Sequence, residues 1–145
     1  MRAFAIVAAV SAVTLASCAP DPVLNVRDAW VRLPAAPGNP GAAYFYVSGG
    51  PKADRLMTVS SPVVIRTELH ESMAGHSGMM TMKPIEGGVE VPAGGFVEFK
   101  PGGKHAMMYN INPGIQPPRT VQMIFTFASG TRITADAQVK RAGDK

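Results

Sequence analysis

The sequence contains little cysteine, histidine or aromatic side chain, and it has no strongly charged segment. Of 145 residues, one is cysteine, three are histidine and 7% are aromatic. A lone cysteine cannot form a disulfide within the chain, and it cannot supply a metal site built from several thiolates. The 14 basic and 10 acidic residues are spread along the chain. Because they form no basic patch, we expect no nucleic-acid partner.

The N-terminal 18 residues indicate export from the cytoplasm. Arg2 precedes an apolar run from Ala3 to Leu15 that is too short to span a bilayer, and small residues follow it. The tetrad LASC at residues 15–18 resembles the bacterial lipoprotein processing site, where the new N-terminal cysteine carries the lipid. We therefore expect an export signal at residues 1–17 and a lipid anchor and tether at residues 18–25, with lipidation at Cys18. The mature protein is expected in the periplasm, held at the inner or the outer membrane.

The remainder of the chain predicts one all-β domain at residues 26–140. Fifteen glycines and 13 prolines interrupt the sequence, which argues against long helices. Alternation is clearest where Val121, Met123, Phe125 and Phe127 fall on one face of a strand. Ten short strands imply a sandwich or barrel, and we expect a monomer. The strands are predicted at residues 26–33, 42–47, 55–60, 63–70, 79–83, 89–91, 96–100, 105–111, 121–127 and 131–139.

All three histidines and six of the nine methionines fall in one window, residues 70–108. Its first part, HESMAGHSGMMTM, is too polar and glycine-rich for a core, so we interpret it as a loop whose methionines have no packing role. His105 and Met107 project from one face of a strand, since they are two residues apart. Met80 and Met82 have the same spacing, and His70 is expected at the exit of another strand. We predict that these strand ends converge on one rim. The members of the window are His70, Met73, His76, Met79, Met80, Met82, His105, Met107 and Met108.

The donor atoms in this window favour Cu(I). Neutral imidazole and thioether are borderline to soft ligands, whereas Ca²⁺ and Mg²⁺ require oxygen ligands and Zn²⁺ prefers thiolates or carboxylates. A thioether also remains a copper ligand outside the cytoplasm, where an exposed thiol is prone to oxidation. A blue-copper electron carrier needs a cysteine ligand, and none lies near the window. The residues therefore predict a Cu(I) site rather than an electron-transfer centre.

The spacing of His70, Met82 and His105-x-Met107 resembles that of the periplasmic copper chaperones of the PCu(A)C type. The resemblance covers most of residues 28–127. It includes the segments DAWVRLPAAPGNPGAAYFYV, ADRLMTVSSPV, TELHESM and MKPIEGGVEVPAGGFVEFKPGGKHAMMYNI.

This resemblance implies a cupredoxin-like Greek-key β-sandwich or barrel with a surface Cu(I) site. The ligand roles fall to His70, Met82, His105 and Met107, because these residues stand at the matching positions of the motif. It also implies delivery of copper toward the CuA centre in subunit II of cytochrome c oxidase, with a Sco-type protein as a further partner. The interval from His70 to Met82 is one residue longer than usual. The residues that remain alternative or additional ligands there are Met73, His76, Met79 and Met80.

Two other functions are compatible with the sequence. One is copper sequestration or resistance in the cell envelope without delivery, and the other is a β-sandwich binding module that holds no metal. No Ser-His-Asp arrangement and no phosphate-binding glycine loop are evident. We therefore expect that the protein is not an enzyme.

Overall fold

The computed structural model describes residues 19–144, and all regular structure in this range is β. Nine strands begin and end within one residue of their predicted bounds, and the tenth, β4, extends four residues further. No helix in residues 19–144 is long and apolar enough to cross a membrane. The predicted export signal and Cys18 lie outside the described residues. The strands are β1 (Asn25–Arg32), β2 (Gly41–Ser48), β3 (Asp54–Ser60), β4 (Val64–Ala74), β5 (Met80–Pro84), β6 (Val89–Val91), β7 (Phe96–Phe99), β8 (Lys104–Ile111), β9 (Thr120–Phe127) and β10 (Arg132–Lys140).

The ten strands form one sheet that folds over on itself. Its order is β5-β4-β8-β2-β1-β10-β9-β3-β6, and β7 pairs with β2 outside this path. β1 connects the two halves, because it pairs antiparallel with β2 and parallel with β10. A bulge between Arg27 and Trp30, with Asp28 at a φ of 56°, bends this strand. The fold brings β3 against β4, so that the two halves enclose one core.

Alternation along the strands sends every second side chain into that core. The four predicted residues of β9, from Val121 to Phe127, are all buried. In the other half, the ring of Phe45 stacks on Phe99, with 4.2 Å between centroids, and meets the edge of Phe125 at 4.8 Å. Aromatic pairs of this geometry add to the free energy gained from burial. The core therefore holds both halves of the folded sheet together.

The segment predicted as a loop after His70 is a β-hairpin. His70 lies in the middle of β4 rather than at a strand exit, because β4 continues to Ala74 and pairs with β5 from Met80 to Pro84. A turn at residues 75–79 joins the two strands, and the amide of Gly75 donates to the carbonyl of Met79 at 2.8 Å. The pairing satisfies backbone hydrogen-bonding groups that a loop would leave to water. The methionines of this segment are therefore held on a regular, two-stranded surface.

We expect Leu69→Ala to destabilise the fold by about 2–5 kcal/mol, because it removes buried methyl groups next to His70. Leu69 is only 7% exposed and belongs to the core. Ile65→Ala on the same strand is the matched control, since Ile65 is 81% exposed, and we expect a change within about 0.5 kcal/mol. Urea denaturation of the two variants measures both values. Equal losses would contradict the assignment of Leu69 as the core anchor of β4.

Candidate metal centre

The candidate site lies on the face of the sheet that points away from the core, across β5, β4 and β8. His70 on β4 stands directly opposite His105 on β8. Their ring centroids are 5.9 Å apart, and the ring planes are inclined by 41°. Because metal–nitrogen bonds are about 2 Å long, two rings at this distance can share one ion. The register of β4 and β8 thus pairs histidines that are 35 positions apart in the sequence.

Both imidazoles are buried, and each has one nitrogen engaged and one free of hydrogen bonds. Nε2 of His70 donates to the Glu68 carboxylate at 3.1 Å, and Nδ1 of His105 donates to the Gly103 carbonyl at 3.0 Å. Each partner can only accept, so these contacts fix the tautomer of the neutral ring. Nδ1 of His70 and Nε2 of His105 are buried, and neither has a hydrogen-bond partner in residues 19–144. The contacts therefore leave two buried lone pairs, as a metal-binding histidine pair requires.

Met107 is two residues from His105 on the same face and stands opposite Glu68. It is partly buried, and the hydroxyl of Tyr109 donates to its sulfur at 3.1 Å. Along β8, therefore, an imidazole, a thioether and a phenol succeed one another on one face. The predicted neighbours His105 and Met107 are brought together by the structure as the spacing indicates.

Met82 lies on the same face, at the edge strand β5. It stands opposite Ser72, which places it diagonal to His70, and its side chain is 58% exposed. Diagonal neighbours across a strand pair are within reach of long side chains. Met80 is on this face too, but it stands opposite Ala74, one pair further from the histidines. Of the two methionines on β5, Met82 is thus nearer the histidine pair.

The other members of the sequence window point elsewhere. Met73 stands opposite Thr81, on the reverse face of the hairpin, and His76 and Met79 belong to the exposed turn. Met108 is 1% exposed and belongs to the core. No group of three or more His, Cys, Asp or Glu side chains within residues 19–144 is arranged to hold a metal ion. The thioethers of Met82 and Met107 are the methionine donors nearest the two histidines on the face that carries them.

Glu68 and Tyr109 are functional candidates that the sequence interpretation missed. The hydrogen bond from His70 holds the pKa of Glu68 below its usual value; desolvation opposes this shift, and Arg66 and Tyr109 reinforce it. Burial, followed by the charge of Glu68, raises the pKa of Tyr109, so its hydroxyl keeps its proton at neutral pH. Glu68 precedes His70 by two residues, and Tyr109 follows Met107 by two. Because residues two apart on a strand share a face, this spacing is the signal that could have indicated both.

Two further features frame the histidine pair. On one side, the ring of Tyr44 lies 6.4 Å from that of His105, and the ring of Trp30 lies 4.5 Å from that of Tyr44. Burial is the main reason that the pKa of Tyr44 is raised. Next to the pair, Lys104 donates to Glu71 at 2.8 Å, from the two positions that follow the histidines in the β4–β8 ladder. The Lys104–Glu71 contact joins the two strands on which the histidines stand.

Solved structures of PCuAC domains share this architecture. The copper-bound PCuAC domain from PmoF2 superposes with a TM-score of 0.67 at 19% identity, over 85% of this chain and 97% of that domain. The apo PCuAC domain from PmoF1 gives a TM-score of 0.66 at 18% identity, over 85% and 98%. The Cu(I) form of DR1885 from Deinococcus radiodurans gives 0.62 at 23% identity, over 86% and 81%. The predicted cupredoxin-like β-sandwich is therefore confirmed.

Sequence comparison identifies the family. A protein of Leifsonia xyli subsp. xyli (strain CTCB07), named as lipoprotein Lxx21020, is 25% identical over 118 residues, which are 81% of this chain and 69% of that protein. The family model described as a lipoprotein, LpqE-like, matches residues 24–139, which include all four predicted ligands. The chain accordingly belongs to the LpqE-like family, and it has the fold of a PCuAC domain.

Proposed function

We propose that this protein is a copper chaperone of the cell envelope that binds one Cu(I) ion on the outer face of β4 and β8. The observation that carries the proposal is the pair of buried imidazole nitrogens, Nδ1 of His70 and Nε2 of His105, which have no hydrogen-bond partner in the described chain. An unpaired buried polar atom costs about 1–3 kcal/mol. Coordination of an ion by both nitrogens removes that cost.

The four ligands in this proposal are His70, His105, Met107 and Met82. Two neutral imidazoles and two thioethers suit a soft monovalent ion, and the nearby carboxylate of Glu68 is engaged with His70. The copper-bound and Cu(I) names of two structural neighbours agree with this choice of ion. Glu68 and the Gly103 carbonyl take the role of outer partners that hold the imidazoles in their metal-binding tautomers.

Exposure of the ligands suits transfer rather than permanent retention. The histidines are buried, whereas Met82 is 58% exposed on an edge strand. A weak thioether bond at the surface can be replaced by a donor from an acceptor protein while the histidines still hold the ion. We propose delivery toward the CuA centre in subunit II of cytochrome c oxidase, directly or with a Sco-type protein. Sequestration of copper without delivery is the alternative that a cellular test distinguishes.

We further propose that the protein works in the periplasm, anchored to the inner or the outer membrane by lipid at Cys18. The lipoprotein names of the family and of the Leifsonia relative support this location. The strands begin at Asn25, so a short tether from residue 18 would keep the copper site close to the membrane.

Cu(I) titration against a competing chelator tests the site. We expect one equivalent of tightly bound copper, and we expect His70→Ala and His105→Ala each to weaken the affinity by at least about 100-fold. His76→Ala is the matched control, because His76 lies on the exposed turn and should leave the affinity unchanged. Failure of the native protein to bind copper, or full affinity in His105→Ala, would refute the proposal.

X-ray absorption of the Cu(I)-loaded protein tests the thioether on β5. We expect two nitrogen and two sulfur ligands, and we expect Met82→Leu to remove one sulfur because leucine keeps the shape and loses the donor atom. Met80→Leu is the control, since Met80 stands one pair further from the histidines. Loss of a sulfur in Met80→Leu instead of Met82→Leu would transfer the ligand role to Met80.

A deletion strain tests delivery. At limiting copper we expect lost cytochrome c oxidase activity, restored by added copper or by the native gene but not by His105→Ala. Copper sensitivity with normal oxidase activity would indicate sequestration.

Membrane fractionation and mass spectrometry test the anchor. Cys18→Ser should release the protein from the membrane fraction, and the native protein should start at a lipid-modified Cys18. A soluble, unmodified native protein would contradict the anchor.

A further inference from the structure

Tyr109 lies beside the candidate site but carries no atom that the proposed ligand set uses. It occupies the outer face of β8, two residues beyond Met107 and four beyond His105. Its hydroxyl is 3.1 Å from the sulfur of Met107 and 3.3 Å from Oε2 of Glu68. The single phenol proton lies within reach of both acceptors, so one group connects a ligand on β8 with the carboxylate that holds His70 on β4.

The order of residues along β8 places Met107 next to both His105 and Tyr109. His105, Met107 and Tyr109 share one face at intervals of about 6.5–7 Å along the strand. Met107 therefore stands between His105 and Tyr109 along this face. A thioether sulfur has two lone pairs, so one can accept from Tyr109 while the other stays available to an ion.

Tyr109 is itself fixed by its neighbours. The guanidinium of Arg66 lies 4.1 Å from the centre of the Tyr109 ring, in cation–π geometry. The same guanidinium lies 3.4 Å from Oε1 of Glu68. Glu68 in turn accepts from His70. The phenol thus has a defined position set by the same carboxylate that fixes the tautomer of His70.

Met107 would be mobile without such a contact. A methionine side chain has three rotatable bonds and adapts readily to its surroundings, and ordering it on binding reduces the affinity. A hydrogen bond to the sulfur orders the side chain before the ion arrives.

We propose that Tyr109 is a positioning residue that holds the Met107 thioether ready to bind Cu(I), through its hydroxyl contact with the sulfur and its link to Glu68. This inference rests on the proposed copper-binding function. It assigns to Tyr109 a part of the copper affinity that is exerted mainly through Met107.

Copper affinity in a double-mutant cycle tests the inference. We expect Tyr109→Phe to weaken Cu(I) binding by about 3- to 10-fold, the range of one hydrogen bond, and to speed dissociation. In a Met107→Leu background the same change should have a clearly smaller effect, because the sulfur that Tyr109 holds is absent and only its contact with Glu68 remains. Equal weakening in both backgrounds would show a general structural effect and overturn the inference.

Tyr46→Phe is the matched control for the loss of a phenol hydroxyl. Tyr46 is also partly buried under an arginine, with the Arg27 guanidinium 4.0 Å from its ring centre. It lies four residues along β2 from Ala42, the residue opposite Met107. We expect native copper affinity in this variant, and a weakening equal to that of Tyr109→Phe would overturn the assignment.

A measurement on the copper-free protein separates this inference from the proposed function. NMR relaxation of the Met107 methyl group should show a restricted side chain in the native protein and a more mobile one in Tyr109→Phe. An unchanged methyl group would overturn the positioning role even if copper binds as proposed. Absence of copper binding in the native protein would instead refute the proposed function, and the methyl measurement would still report on the contact.

Discussion

The pairing of β4 with β8 is the constraint on which the candidate site depends. Because side chains alternate along a strand, a slip of one residue would turn one histidine toward the core and leave the other outside. In the observed register His70 meets His105, and Glu68 meets Met107. The outer face thereby collects an imidazole pair, a thioether and a carboxylate. No single strand carries this set, so the site is a property of the register.

The reverse face of the same two strands secures that register. Leu69 stands opposite Ala106, and both are buried in the core beneath the histidines. The Glu71–Lys104 ion pair closes the next step of the ladder. A well-packed inner face stabilises the pair of strands enough to tolerate two buried nitrogens without partners, each of which costs about 1–3 kcal/mol. Core packing and the outer site are therefore coupled through the backbone of β4 and β8.

Local patterns were sufficient to predict the strands, because glycine and proline punctuate them and alternation marks their faces. The sequence also predicted that His105 and Met107 lie side by side, because residues two apart on one strand share a face whatever the rest of the fold. The pairing of β4 with β8 could not be predicted from the sequence, because it joins segments that are distant along the chain. The length of β4 was underestimated for a related reason, as its last residues are held by β5. Glu68 and Tyr109 share a strand face with His70 and Met107, but the contact between Glu68 and Tyr109 crosses from β4 to β8, which one sequence does not reveal. The ligand roles of His70, Met82, His105 and Met107 and the lipid at Cys18 stay predictions.

The aromatic stack beside the histidines gives the molecule an internal optical probe. Trp30 is the only tryptophan of the chain, so its fluorescence has a single origin. One ring, that of Tyr44, separates it from His105. Because indole emission responds to its immediate surroundings, a change at His105 that moves the Tyr44 ring would alter the emission of Trp30. Tryptophan fluorescence therefore offers a label-free way to follow changes at the outer face of β8.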